Sequence, residues 1–247
     1  MLISSTIMLK RGTAPFHFWF PRVIEGLSWY SRFLLITWQK IAPLIILSYC
    51  LSLNLLIFII FTSIIFGRLG GINQTSLRKL IAFSSINHLG WIIAGIVNNE
   101  NIWLVYFAFY TFLNLTIVFL FNNFKLFNIN QTFKIFNSNK FINISLFILL
   151  LSLGGLPPFF GFIPKWLIIE LIIKNNIFVT LTFILMLTLI TLYFYLRITY
   201  AALLLNHVNM NWNFKINLPI KNFKLIIIVN FISLLGLILI NLIYLFI

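Results

Sequence analysis

Charge is scarce in this sequence, and negative charge is scarcest. Only 8% of the 247 residues are charged, and the acids are three glutamates, Glu25, Glu100 and Glu170. A soluble domain carries about 25% charged residues, so a water-facing domain is excluded. With 62% hydrophobic residues and a mean hydropathy of +1.07, the chain reads as a polytopic membrane protein. Cys50 is the only cysteine, which excludes a disulfide framework and a CxxC metal site. The three histidines, His17, His88 and His207, are nowhere at helical ligand spacing, and HExxH, GxGxxG and GxxxxGK[ST] are absent. Soluble-enzyme chemistry and nucleotide binding are left without support. No cleavable signal peptide is expected, because Met1–Met8 is short and Lys10-Arg11 follows the apolar stretch instead of preceding it.

Positive charge is present, and its distribution matters. The 17 Lys and Arg give a formal net charge of +14. They are scattered, with no basic face carrying base-stacking aromatics, so nucleic acid is not an expected partner. Most are expected to flank the bilayer, which is the expected partner surface. Lys125, Lys134, Lys140, Lys215, Lys221 and Lys224 fall in Asn-rich connections.

A spanning helix needs about 20 apolar residues. Residues 1–9 are too short and read as the tail of a helix. Residues 14–31 are aromatic, contain Pro15, Pro21 and Gly26, and fit a re-entrant or interfacial segment. Spanning helices are expected near 32–51, 54–70, 77–97, 102–123, 142–174, 177–205 and 223–246. The 142–174 run is too long for one straight helix, and the Gly154–Pro164 stretch is expected to break it. Residues 98–101 and 206–222 read as polar connections, and 124–141 as an amphipathic surface helix. The fold class is therefore all-α: one membrane domain over 1–247, with a stub and interfacial segment (1–31), a helix bundle with discontinuous helices (32–205), the 206–222 connection and a C-terminal helix (223–247).

Two stretches combine a lysine with a Gly/Pro break inside apolar sequence: Leu9-Lys10-Arg11-Gly12-Thr13-Ala14-Pro15, and Gly154-Gly155-Leu156-Pro157-Pro158 with Pro164-Lys165. A lysine at the centre of a bilayer helix costs about 2.5–3.5 kcal/mol on insertion scales, and a break frees backbone groups that hydrocarbon cannot satisfy. Transporters build ion sites from this combination. Lys40, in Thr37-Trp38-Gln39-Lys40-Ile41-Ala42-Pro43, is too central to snorkel easily. It fits a proton-transfer group or, alternatively, a lysine paired with a carbonyl or carboxylate for stability. Pro43 is expected to loosen the helix just after it. Lys10 and Lys165 fit either a proton path or an interfacial helix cap. His88, with Ser84 and Ser85 one turn before it, fits a relay or a helix–helix hydrogen bond. Glu170, about a turn beyond Lys165, is within reach of it on a regular helix. Gly67, Gly70 and Gly71, followed by Asn73-Gln74-Thr75-Ser76, read as a turn and N-cap, and lipid headgroups are the expected partners of Arg78 and Lys79. Arg197 marks either a cavity or the interface.

These motifs, together with Phe16-His17-Phe18-Trp19, Gly71-Ile72-Asn73-Gln74-Thr75-Ser76-Leu77-Arg78-Lys79 and Ser84-Ser85-Ile86-Asn87-His88-Leu89-Gly90-Trp91, closely resemble the NADH–ubiquinone oxidoreductase chain 2 family in its insect form. These are the mitochondrially encoded, antiporter-like membrane subunits of respiratory complex I. The likeness spans essentially the whole chain, and the Phe-, Ile-, Leu- and Asn-rich composition is compatible with an animal mitochondrial gene. It implies an antiporter-like, inverted-repeat helix bundle in the mitochondrial inner membrane, with other complex I membrane subunits as partners. It also implies proton translocation coupled to quinone reduction elsewhere in the complex. Carried over residue by residue, the family's path lysines fall on Lys10, Lys40 and Lys165, with His88 as an intervening relay. No cofactor is expected on this chain: NADH, FMN, iron–sulfur clusters and ubiquinone would be handled by other subunits. The chain would be an enzyme only as a subunit, with no redox centre of its own.

Two departures from the pattern stand out. The family's N-terminal helices, one bearing a glutamate that pairs with a path lysine, have no counterpart here, so the sequence reads as either partial or shortened. Arg11 and Arg22 add positive charge where neutral or acidic residues are expected. A structural, bridging subunit without pumping is the alternative function, and a stand-alone cation/proton antiporter is a third.

Overall fold

The computed structural model describes residues 2–98, 101–136 and 140–200, and for 133–136 and 140–143 the backbone alone. The expected connection at 206–222, the C-terminal helix, His207 and Glu100 lie outside the described residues.

Apart from one isolated antiparallel bridge between Ser76 and Asn128, the described structure is helical. It comprises α1 (Leu2–Arg11), α2 (Trp19–Gly26), α3 (Trp29–Ile36), α4 (Trp38–Tyr49), α5 (Leu53–Ile72), α6 (Leu77–Asn98), α7 (Ile102–Asn123), α8 (Ile129–Phe136), α9 (Lys140–Gly154), α10 (Phe162–Lys174) and α11 (Phe178–Tyr200). Of these, α5, α6, α7 and α11 are each long and apolar enough to cross a bilayer.

Helix α6 is the hub. It has apolar or small residues on every side, and 17 of its 22 residues are buried, as expected for a helix without a polar face. Helices α2, α5, α7 and α10 pack around it; α11 lies against α5, α9 and α10, and α3 against α4 and α7. The α5–α6 contact is made by small residues. A Cβ on Gly67 would sit 2.7 Å from the Asn87 backbone nitrogen, and one on Gly90 would sit 2.6 Å from the Ser63 hydroxyl. Small residues let helix backbones approach where no hydrophobic force drives them together. This corrects the expected turn at Gly67–Gly71: α5 runs on through Ile72, the glycines are its packing face, and the turn starts at Asn73.

The expected single span over 32–51 is also corrected. It is two helices, α3 and α4, parted at Thr37 (φ −108°, ψ −71°). The Thr37 hydroxyl and N–H both donate to the Phe33 carbonyl, at 2.7 and 2.9 Å, and the Lys40 N–H reaches back only three residues to the Thr37 carbonyl, at 3.1 Å. Pro43 sits inside α4. A proline removes its own N–H and crowds the carbonyl four residues earlier, so the turn it affects runs from Gln39 to Pro43 and contains Lys40.

The 142–174 run is broken between Gly154 and Phe162, as its glycines and prolines indicate. The same device ends α1 and α9: a glycine just past the helix in the left-handed region, Gly12 (φ +66°) and Gly155 (φ +76°). At α1, the Gly12 and Thr13 N–H groups donate to the Leu9 and Met8 carbonyls (3.1 and 3.3 Å). At α9, the Gly155 and Leu156 N–H groups donate to the Ser152 and Leu151 carbonyls (3.0 and 3.5 Å). Both are Schellman caps, and glycine takes the left-handed position without a Cβ penalty.

Candidate functional site

The helix ends and breaks bring a set of polar side chains into the bundle interior. Helix α4 carries Lys40 inward, 2% exposed. Its ammonium has no hydrogen-bond partner and lies over two ring faces, 4.9 Å from the Phe20 centroid and 5.9 Å from that of Tyr110. Ring quadrupoles attract a cation, but they neither accept its protons nor neutralise it. The Arg11 guanidinium is buried nearby, with none of its three nitrogens hydrogen-bonded.

Tyr110 bridges Lys40 to α6: its ring centroid is 4.9 Å from that of His88. Ser85 and Asn114 adjoin its hydroxyl, which closes no hydrogen bond. His88 is itself buried, and its Nδ1 is 2.9 Å from the Tyr106 hydroxyl, a contact in which either group donates according to the tautomer. The expected serine stripe takes a different form. The Ser84 and Ser85 hydroxyls donate back to their own helix, at the Ile81 and Ala82 carbonyls, and the direct partner of His88 comes from α7.

At the far side stands Lys165 on α10, 5% exposed. Its ammonium donates to the Gly154 carbonyl at 2.6 Å and to that of Leu153 at 3.4 Å. These are final carbonyls of α9, at the negative end of that helix. The approach depends on Gly155, since a Cβ there would lie 2.7 Å from the Lys165 ammonium. The expected Glu170 contact is not made. Glu170 pairs instead with Lys174 at 2.9 Å, four residues on, while Lys165 is five residues away and well round the helix. The other described acid, Glu25, pairs with Lys79 at 2.9 Å, and the Glu25 carbonyl accepts from Arg78 at 2.7 Å.

Three of the four expected site residues, Lys40, His88 and Lys165, are thus collected in the interior. Lys10 is not among them: its side chain is exposed, while its neighbour Arg11 faces inward. Arg197 is likewise exposed, beside a cavity formed with the end of α5 and the Asn73–Thr75 turn that follows it. Sequence reasoning missed Arg68. It is fully buried, donating from Nε to the Asn87 side-chain oxygen at 3.0 Å and from Nη1 to the Ile184 carbonyl at 3.0 Å. The signal was present, as an arginine inside an apolar run, but the surrounding glycines read as a turn. Tyr106 and Tyr110 were also missed. Their i, i+4 spacing puts both on one face of α7.

Comparisons with known proteins agree with this architecture. Residues 1–191 match the family described as NADH:quinone oxidoreductase/Mrp antiporter, TM, and 192–244 match NADH dehydrogenase subunit 2 C-terminus. NADH-ubiquinone oxidoreductase chain 2 of Aedes aegypti is 52% identical over 238 residues, covering 96% of this chain and 70% of that protein. The Anopheles gambiae protein of the same name is 51% identical over 244 residues, covering 99% and 72%. Among solved structures, a chain of respiratory complex I from Thermus thermophilus superposes with a TM-score of 0.79 at 21% identity, over 94% of this chain and 54% of that one. A chain of the Mrp complex from Dietzia sp. gives 0.69 at 16% identity, over 81% and 41%. At such identities the structures speak for the fold alone, which they share over about half of their own length. The chain is a membrane protein with the all-helical fold of antiporter-like subunits, and it belongs to the NADH-ubiquinone oxidoreductase chain 2 family.

Proposed function

We propose that this chain is a proton-translocating membrane subunit of NADH:ubiquinone oxidoreductase in the mitochondrial inner membrane, working beside the complex's other membrane subunits. The observation that carries the reading is the interior row of polar groups, Lys40, Tyr110, His88, Tyr106 and Lys165, inside a bundle whose lipid-facing helices are apolar. Ionisable groups within a membrane are costly to place and mark ion or proton pathways. Each member of the row both takes and gives a proton. The ammonium of Lys40 releases one and its amine recovers one; imidazole and phenol each have a donor and an acceptor face, used between His88 and Tyr106; Lys165 ends the row on the α9 carbonyls. Lys10, on the exposed side of α1 next to Arg11, belongs to the proposal as an outer, terminal group. NADH, FMN, iron–sulfur and ubiquinone chemistry would sit in other subunits, and this chain would share in catalysis by moving protons.

The test is Lys40→Met in the assembled complex, reconstituted in vesicles. Proton transfer is expected to fall at least tenfold while assembly persists, because methionine fills the same space and lies equally well on the Phe20 and Tyr110 rings. Undiminished proton transfer would sink the reading. One observation favours a second reading, that of a bridging subunit which pumps nothing: both described carboxylates are tied up at the periphery, and none faces Lys40 or Arg11. Under that reading Lys40→Met leaves the proton-to-electron ratio of the complex unchanged.

A further inference from the structure

Arg68 is a charged group that the proton row above does not use. It lies four residues before the end of α5, close enough for a long side chain to turn toward that end, as arginines near helix ends do by default. It turns the other way. Its partners are Asn87, midway along α6, and the main-chain carbonyl of Ile184 on α11. The third guanidinium nitrogen, Nη2, is buried with no partner. Gly67, against the Asn87 backbone, brings α5 close enough to α6 for this reach. A guanidinium held there stays charged, because arginine does not deprotonate in proteins.

We propose that Arg68 is a positioning residue of the proton path: a permanent positive charge, anchored on Asn87 and on the α11 backbone, that limits proton occupancy at His88 and Lys165. The inference rests on the proton-row reading above. Asn87 immediately precedes His88, so the Arg68 anchor fixes the helical turn that presents the imidazole to Tyr106. Among the described residues, no carboxylate stands against this charge: Glu25 and Glu170 pair with Lys79 and Lys174. Among the described residues, His88 on α6, Tyr106 on α7 and Lys165 on α10 interact with this charge; Lys40 on α4 and Tyr110 on α7 adjoin His88, Tyr195 on α11 adjoins Tyr110, and Arg11 of α1 stands behind Lys40. No carboxylate is among them. A fixed cation in such surroundings makes each proton arriving at the row less welcome, so that it is passed on and not stored. A purely structural arginine would need the two hydrogen bonds but not the charge.

The experiment separates these roles with two variants in intact complex I reconstituted in vesicles, measuring proton transfer as a function of pH. Arg68→Gln keeps a hydrogen-bond donor for Asn87 and removes the charge. Arg68→Lys keeps the charge and loses the two-pronged anchor. The expected result is a pH profile moved toward higher pH by on the order of one unit in Arg68→Gln, the size of one charge's effect at close range, with the profile of Arg68→Lys unmoved. Profiles that stay in place for both variants overturn the proposal, as does failure of both variants to assemble, which would make Arg68 purely structural. Lys165→Met is the control for the underlying reading. If it transfers protons like the wild type, the proton row itself has failed; if it is inactive while the Arg68→Gln profile is unmoved, the row stands and only the Arg68 inference falls.

Discussion

The two broken segments, α1 to α2 and α9 to α10, begin alike and end differently. Each upstream helix closes with a Schellman cap on a left-handed glycine, Gly12 or Gly155, and each has a lysine nearby. At the first break the freed carbonyls are taken by neutral donors. The Met8 carbonyl accepts from the Thr13 hydroxyl at 3.1 Å and that of Leu9 from the Trp19 indole at 3.1 Å, while Lys10 points out of the bundle. At the second, the carbonyl of Gly154 is taken by the Lys165 ammonium itself. A break in a membrane helix must satisfy its backbone, but the donor is open to choice. Where the donor is a neutral side chain the cap does no more than satisfy the backbone; where it is an ionisable one, the capping bond also holds a group able to exchange a proton, which is the role proposed for Lys165.

The difference can be tested by equal changes at the two breaks. The largest contrast is expected between Lys165→Met and Lys10→Met. Losing the ammonium strands the Gly154 carbonyl in the interior, at about 1–3 kcal/mol for an unsatisfied buried group, and removes the end of the row, so proton transfer should fall at least tenfold. Lys10→Met should leave assembly and thermal stability of the complex unchanged and reduce transfer less. Equal loss in both would show that the breaks are functionally equivalent, against the geometry.

A finer contrast comes from Gly155→Ala and Gly12→Ala. Both force a Cβ into the left-handed region, at about 1–2 kcal/mol, and both meet a neighbour at 2.7 Å, the Lys165 ammonium in one case and the Phe20 Cβ in the other. The Gly155 variant should therefore lose proton transfer per assembled complex, and the Gly12 variant should lose assembled complex without changing transfer per complex. Native-gel abundance alongside vesicle assays separates the two, and the reverse pattern would refute the assignment of roles. The smallest effect is expected for Thr13→Val, which removes one neutral donor from the Met8 carbonyl while the Thr13 N–H still reaches it: a loss of about 1 kcal/mol, read as a modest drop in thermal stability with wild-type transfer.

Much of this was legible before any coordinates. Charge scarcity and long apolar runs placed α5, α6, α7 and α11 within a residue or two of their starts, because bilayer thickness sets the length of a spanning helix. Gly154-Gly155 with Pro157-Pro158 announced the second break, because these residues remove N–H donors or favour the left-handed region. The Thr37 interruption was not legible. A threonine whose hydroxyl and N–H both reach the carbonyl four residues back is compatible with a continuous helix as well as an interrupted one, so residue type does not compel the break. Gly67-Arg68-Leu69-Gly70-Gly71 misled in the same way: glycines that mark a turn in water serve as a packing face in a membrane helix.

What the sequence determined by itself is the class, the spans of α5, α6, α7 and α11, the location of the glycine- and proline-marked breaks and the presence of lysines where hydrocarbon penalises them. These depend on local composition and on backbone rules that act over a few residues. Only the tertiary structure decided which cations face inward. Lys10 and Arg11 are adjacent, yet one is exposed and the other buried. Arg68 turns to Asn87, and Lys165 finds the α9 carbonyls instead of Glu170. Side-chain direction follows from helix rotation against neighbours far away in sequence, and that rotation is set by close contacts such as those at Gly67, Gly90 and Gly155, which no single segment contains.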